Sequence, residues 1–143
     1  MRSTTLDNNS NPIEVTGNYT VEPEYDVINV DAATASITWP GFPVGTVKLV
    51  RKLSDYDTTN TNSVNIVMDT GQTWGPNIST DDIPIFGKLG CWKIEQVTDT
   101  LVTIVGGMDR GSNSNGKWWQ YFGGAQETVT IGATLVYVNA NRL

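Results

Sequence analysis

The sequence has no histidine and a single cysteine among its 143 residues. These two shortages remove a large share of protein chemistry. Without imidazole there is no histidine general base, no Cys-His nucleophile and no histidine-ligated metal, and one thiol cannot close an internal disulfide. Cys91 lies in an apolar, aromatic stretch and reads as a small structural hydrophobe. Positive charge is also scarce: 9 Lys and Arg stand against 15 Asp and Glu, a net charge of -6, and the pI is near 4.4. Such a chain repels phosphate backbones, and its basic residues are scattered rather than gathered into a patch, so nucleic acid is not an expected partner. No apolar run is long enough to span a bilayer, and the opening MRSTTLDNNS lacks the apolar core of a secretory signal. Synthesis in the cytoplasm of the producing cell, with no membrane partner, is the expectation. Asn8, Asn18 and Asn77 fall in N-x-S/T patterns, which arise by chance in a chain this rich in Asn and Thr.

What is present is a chain with 38% hydrophobic and 17% charged residues, 14 Gly and 6 Pro, a composition that suits one globular domain. Residues 1–12 are polar and turn-prone and read as an extended arm. Fully stretched, such an arm reaches roughly 40 Å, enough to clasp a neighbouring subunit. Residues 13–143 carry a period near two, rich in Val, Ile, Thr and aromatics, interrupted at short intervals by Gly, Pro, Asn or Asp. The candidate strands are Val15 to Val21, Tyr25 to Val30, Ala35 to Trp39, Thr46 to Leu53, Val64 to Met68 and Cys91 to Val97. They continue with Leu101 to Val105, Lys117 to Phe122, Thr128 to Ile131 and Thr134 to Val138, and no helix competes with them. No repeat period of a solenoid or propeller is visible. The pattern predicts an all-β, single-domain antiparallel β-sandwich or small barrel.

Alternation assigns Leu49, Arg51 and Leu53 to one stripe, Val64, Ile66 and Met68 to a second, and Trp92 with Ile94 to a third, all candidates for the core. Leu101 to Val105 is apolar at nearly every position, as for a strand covered on both faces, inside the domain or at a subunit contact. Between Met68 and Gly90 the pattern thins into a long loop holding Trp74, Asp81, Asp82 and Pro84.

Few segments suggest chemistry. Gly111-Ser-Asn-Ser-Asn-Gly116-Lys117 approaches a phosphate-binding loop, but Trp118 stands where the hydroxyl for magnesium belongs and an aromatic strand follows instead of a helix. Asp55 to Asn60 offers oxygen ligands, yet Asn60 replaces the glycine an EF-hand loop needs at its sixth position. Asp81, Asp82, Glu95, Asp109 and Glu127 could supply a glycosidase pair only if the fold brought two of them across a cleft. Neither catalysis nor a cofactor or metal is expected. The aromatic run Trp118, Trp119, Tyr121 and Phe122 is more informative, because alternation turns Trp118 and Phe122 one way and Trp119 and Tyr121 the other. One pair must face away from a single core, to meet another subunit or to stack on sugar rings.

The residues Val15-Thr-Gly-Asn-Tyr-Thr-Val21, Tyr25-Asp-Val-Ile-Asn-Val-Asp31 and Ala35-Ser-Ile-Thr-Trp-Pro40 form a run over about a fifth of the chain. This run resembles a β-hairpin module of tailed-bacteriophage structural proteins, found in tail fibres, tailspikes and short head-decoration or cement proteins. The resemblance implies an all-β, non-enzymatic and usually trimeric particle component. Fibre proteins of this kind are far longer, so the resemblance favours a decoration protein bound as a homotrimer to the major capsid (coat) protein on the virion surface. On that expectation the interface draws on Leu6, Ile13, Leu101, Val102, Ile104, Trp119 and Tyr121. The alternative is a tail-fibre or tailspike-type host-recognition module that holds surface polysaccharide with Trp74, Trp119 and Tyr121.

Overall fold

A computed structural model describes residues 10–54, 62–75 and 82–109, and from residue 110 onward the backbone of strand residues 110, 118–121, 127–131, 134–138 and 140–142. Among the described residues there are fourteen strands and no helix. In chain order they are β1 (Pro12–Val15), β2 (Tyr19–Thr20), β3 (Val27–Val30), β4 (Ala35–Trp39), β5 (Val47–Lys52), β6 (Val64–Met68) and β7 (Thr73–Trp74). Then follow β8 (Asp82–Ile85), β9 (Cys91–Gln96), β10 (Leu101–Arg110), β11 (Trp118–Tyr121), β12 (Glu127–Ile131), β13 (Thr134–Val138) and β14 (Ala140–Arg142).

The all-β expectation holds, but the sheets are mixed rather than antiparallel. A large sheet runs β1-β3-β5-β9-β10-β11-β14, with β7 also paired to β10; a small sheet runs β2-β4-β6-β8; β12 and β13 form a separate pair. Up to β8 the chain visits the two sheets alternately. Through β6 each return to a sheet comes in the same direction, and β1–β3, β3–β5, β2–β4 and β4–β6 are all parallel. The pairings β5–β9, β9–β10 and β6–β8 are antiparallel. Gly, Asn and Pro mark a change of direction without saying in which sheet the chain lands, so corners between sheets look like hairpin turns in the sequence.

Irregular coil lengths explain why this path left no period. Pro12 pairs with Val27 and Val27 with Leu49, advances of 15 and 22 residues in the large sheet. In the small sheet Tyr19 pairs with Ile37 and Ala35 with Val64, advances of 18 and 29.

Several expected strands change shape. Val15 to Val21 divides into β1 and β2 around Gly17, and the expected boundary between arm and domain falls inside β1. The long loop after Met68 contains β7 and β8. Pro84 argued against a strand there, but β8 pairs only with β6 at the sheet edge, where a missing N–H breaks no ladder. Leu101 to Val105 extends to Arg110 through a bulge: Ile104 faces Ile94, the next partner of β9, Lys93, faces Gly106, and Val105 is the extra residue. At Gly107, where φ is 120°, an added Cβ would lie 2.3 Å from the Cys91 carbonyl oxygen, so only glycine fits this close approach.

One apolar core lies between the sheets. Ile28, Val30, Val50, Trp92, Ile94, Val102 and Ile104 from the large sheet join Ile37, Trp39, Val64, Ile66, Ile83 and Ile85 from the small one. Each large apolar side chain removed from water in this way contributes roughly 1.5–3 kcal/mol. The stripes Val64 with Ile66, and Trp92 with Ile94, are buried as expected, with Met68 partly buried against the core.

On β5 the expected face is reversed. Leu49 and Arg51 are half-buried and point away, while Lys48, Val50 and Lys52 face inward. Two inward lysines hid the period, yet both ammonium groups find carbonyl oxygens at the core's margins. Lys48 Nζ donates to the carbonyls of Pro23 (3.0 Å) and Tyr25 (2.5 Å) and sits 4.8 Å from the centre of the Phe42 ring. Lys52 Nζ donates to the carbonyls of Asn62 and Phe86, each at 3.1 Å. Their aliphatic stems can then lie in the core at small cost.

Gln96, fully buried, joins the two sheets. Its Oε1 accepts from Trp39 Nε1 (2.7 Å) and the Phe42 N–H (3.1 Å), while Nε2 donates to Gln72 Oε1 and the Thr98 carbonyl, both at 2.7 Å.

Candidate interaction surface

Alternation in the large sheet leaves a second face, directed away from the core, and the strand registers define its rows. Glu14, Asn29, Arg51, Cys91 and Met108 lie side by side across β1, β3, β5, β9 and β10. Val27, Leu49 and Lys93 form a second row, and Val47, Glu95 and Thr103 a third. Leu101 ends β10 on the same side, half-buried. The bulge sets Gly106 beside Val105 on this face and brings Met108 onto it, where a regular strand would have turned both Gly106 and Met108 toward the core.

Chemically the face is apolar with mixed charge along it. Val47, Val105 and Met108 are 37%, 39% and 38% exposed, and the two other large exposed hydrophobic residues among those described, Val44 and Leu89, sit outside the strands. Arg51, Lys93 and Glu95 supply both signs of charge among them. Asn29 adds an anomaly: its Oδ1 is buried and accepts no hydrogen bond. An orphaned acceptor of this kind costs about 1–3 kcal/mol until a donor reaches it.

The residues singled out from the sequence do not gather here as a group. Leu101 is on the outward face, but Val102 and Ile104 are 0% and 1% exposed and belong to the core. Within the domain the apolar run is covered on one side only, and its alternate residues separate into core and outward face. Ile13 is partly buried against the core's margin. Trp74 is a core residue, 9% exposed, and offers no open platform for a sugar. Trp119 pairs with Asp109 and Arg142, and Tyr121 with Ala140, but the side chains of both lie outside the described residues. Leu6 lies outside them too. Val47, Val105 and Met108 were missed. The first was hidden by the reversed reading of β5, Val105 by reading the run Leu101 to Val105 as covered on both faces without separating its alternate residues, and Met108 by ending the strand before the Gly106-Gly107 pair.

Among the described residues, the groups weighed for chemistry form no site. Residues 55–60 and 111–117, together with Asp81 and the side chain of Glu127, are outside the described residues. Asp109 is buried and its carboxylate is structural: Oδ2 accepts from the Phe86 N–H (2.9 Å) and Oδ1 from the Gly87 N–H (2.8 Å). Among the described residues no three His, Cys, Asp or Glu side chains cluster to hold a metal. No described helix is long and apolar enough to cross a membrane. Cys91 is a half-buried free thiol within the outward row.

Comparison with protein-family models, with curated proteins and with solved structures finds no match to the chain. The likeness to phage structural proteins therefore rests on residues 15–40 alone.

Proposed function

We propose that this chain is a non-enzymatic structural protein of a bacteriophage particle, a decoration protein that binds the outer surface of the coat lattice as a homotrimer. On this reading the domain is a single β-sandwich, and the outward face of its large sheet is the binding surface. The observation that carries the proposal is that face, where Val47, Leu101, Val105 and Met108 stay in partial contact with water although β3, β5, β9 and β10 bury their other side in the core. Large apolar side chains gathered on one strand face favour burial against another protein.

The mechanism is mass action. A protein that binds only the assembled shell stabilises it, and many copies of a modest interface add across a lattice. The partner is the coat protein and the place of work is the capsid surface. The orphaned Asn29 Oδ1 supports the same surface, because a donor from a neighbouring chain would remove its cost.

Quantitative mass spectrometry of purified particles tests the proposal through the number of copies per coat subunit. A ratio within a few-fold of one copy per coat subunit is the expected result. A ratio far below it moves the protein to a tail or a vertex, and absence from particles ends the proposal.

A further inference from the structure

A second surface, made of other residues and independent of the proposed capsid role, lies on the outward side of the small sheet. An open recess of about 220 Å³ is lined by Asn18, Thr34, Ala35, Ser36, Ser63 and Asn65. Its residues come from successive coils at the same level. Ser36 on β4 pairs with Asn65 on β6, and Asn18 precedes β2 at the position that aligns with Ser36. With strands about 4.8 Å apart, the two amides stand roughly 10 Å from each other with a serine hydroxyl between them.

Hydrogen bonds fix both amides by their oxygen atoms. Asn18 Oδ1 accepts from the Ser36 N–H at 2.9 Å, and Asn65 Oδ1 accepts from Ser63 Oγ at 2.9 Å. Each NH₂ group is left without a partner among the described residues. The hydroxyls of Thr34 and Ser36 are unpaired in the same sense. The recess thus presents fixed donors and adaptable hydroxyls, with no charged side chain in its lining.

We propose that this recess binds a single neutral sugar ring. Donors at fixed positions suit an acceptor-rich ligand, and hydroxyl groups that both donate and accept suit another polyol. Phosphate and carboxylate ligands are disfavoured because the lining has no cation and the chain carries a net charge of -6. The volume is that of about seven waters, room for one ring to seat in the recess. A recess this polar and small gains little from apolar burial, so binding is weak, in the millimolar range, and gains strength only through repeated copies.

The test uses the full-length chain, labelled with ¹⁵N and titrated separately with D-glucose, D-galactose, L-rhamnose, N-acetyl-D-glucosamine and inorganic phosphate. The expected result is saturable movement of the Asn18 and Asn65 side-chain NH₂ signals with at least one sugar and none with phosphate. Asn65→Thr should weaken that binding about fivefold to tenfold, the effect of one lost hydrogen bond, while backbone signals of the core keep their positions. If Asn65→Thr does not fold, Thr34→Val provides the same reading from a position outside the strands. The proposal fails if no sugar saturates these signals, if phosphate does so instead, or if the folded variant binds as tightly as the parent.

Discussion

The two sheets are alike on the inside and different on the outside. Inward, Ile28, Val50 and Ile94 of the large sheet and Ile37, Ile66 and Ile83 of the small one are all fully buried. Outward, the small sheet shows Thr20, Ser36, Thr38 and Asn65 with Val67 as its apolar member, whereas the large sheet sets Val47, Leu49, Leu101, Val105 and Met108 among Glu14, Asn29, Arg51, Lys93, Glu95 and Thr103. The shared core leaves inward residues little choice, because a polar group there must find a partner or lose stability. Outward residues have that choice. The small sheet shows that Thr, Ser and Asn can fill most of a strand face in this molecule, so the more numerous apolar residues on the outer face of the large sheet are not demanded by the core. The covering partner proposed above would account for them.

The strongest way to test this contrast is to show that the inner faces are energetically equivalent. Ile94→Ala in the large sheet and Ile66→Ala in the small sheet should each cost about 2–5 kcal/mol in urea denaturation, since each opens a cavity in the same packed core. A loss confined to one of them would mean that the sheets do not share a single cooperative core. Next in size is the link between them. Gln96→Leu strands Trp39 Nε1, the Phe42 N–H and Gln72 Oε1 in one substitution, and should cost about 2–4 kcal/mol. A stability within about 0.5 kcal/mol of the parent would show that water replaces this junction freely.

What could be read in the sequence follows the same division. The limits of β4, β6 and β13 and the burial of Val64, Ile66, Trp92 and Ile94 followed from alternation alone, because at these places hydrophobicity and burial agree. On β5 they disagree. Lys48 and Lys52 are inward, and their carbonyl partners lie 10 to 34 positions away in the chain, so no local pattern could reveal that their charges would be satisfied. The parallel stacking was illegible for a similar reason: coil advances of 15, 22, 18 and 29 residues share no period. The outward face depended on both errors. Once β5 was reversed and β10 cut short at the glycine pair, its rows could not be assembled. The recess on the small sheet had still less local signature, since Asn18, Ser36 and Asn65 become neighbours only through register.

Substitutions on the two outward faces separate assembly from folding. Val105→Asp with Met108→Lys should shift unfolding stability by no more than about 1 kcal/mol, because both side chains are already in contact with water. On the proposed function, the same pair should abolish the oligomer in sedimentation and the binding to particles. Thr38→Asp, on the outer face of the small sheet, should leave both intact. If the Thr38 variant disturbs assembly as much as the double variant, the contrast between faces does not identify the interface.

The smallest effect concerns charge held between the sheets and their loops. Burial lowers the Lys48 ammonium below its usual 10.5, with Asp26 and Glu24 partly opposing the shift. Burial and the hydrogen bond to Glu22 raise the Tyr19 phenol well above its usual 10.0. For Lys48, the unfolded chain holds more protons than the folded one between the lowered value and 10.5, so stability rises with pH through that interval. For Tyr19 the sign is opposite: the unfolded phenol ionises first, and stability falls as pH climbs above 10.0. Thermal unfolding followed from about pH 8 to about 11 should therefore show a shallow maximum. Lys48→Met should flatten the rising side while lowering stability throughout, because the carbonyls of Pro23 and Tyr25 lose their donor. Tyr19→Phe should remove the falling side alone. A profile unchanged by both substitutions would place the alkaline response elsewhere, and would mean that Lys48 is held mainly by its stem and the Phe42 ring and only secondarily by its charge.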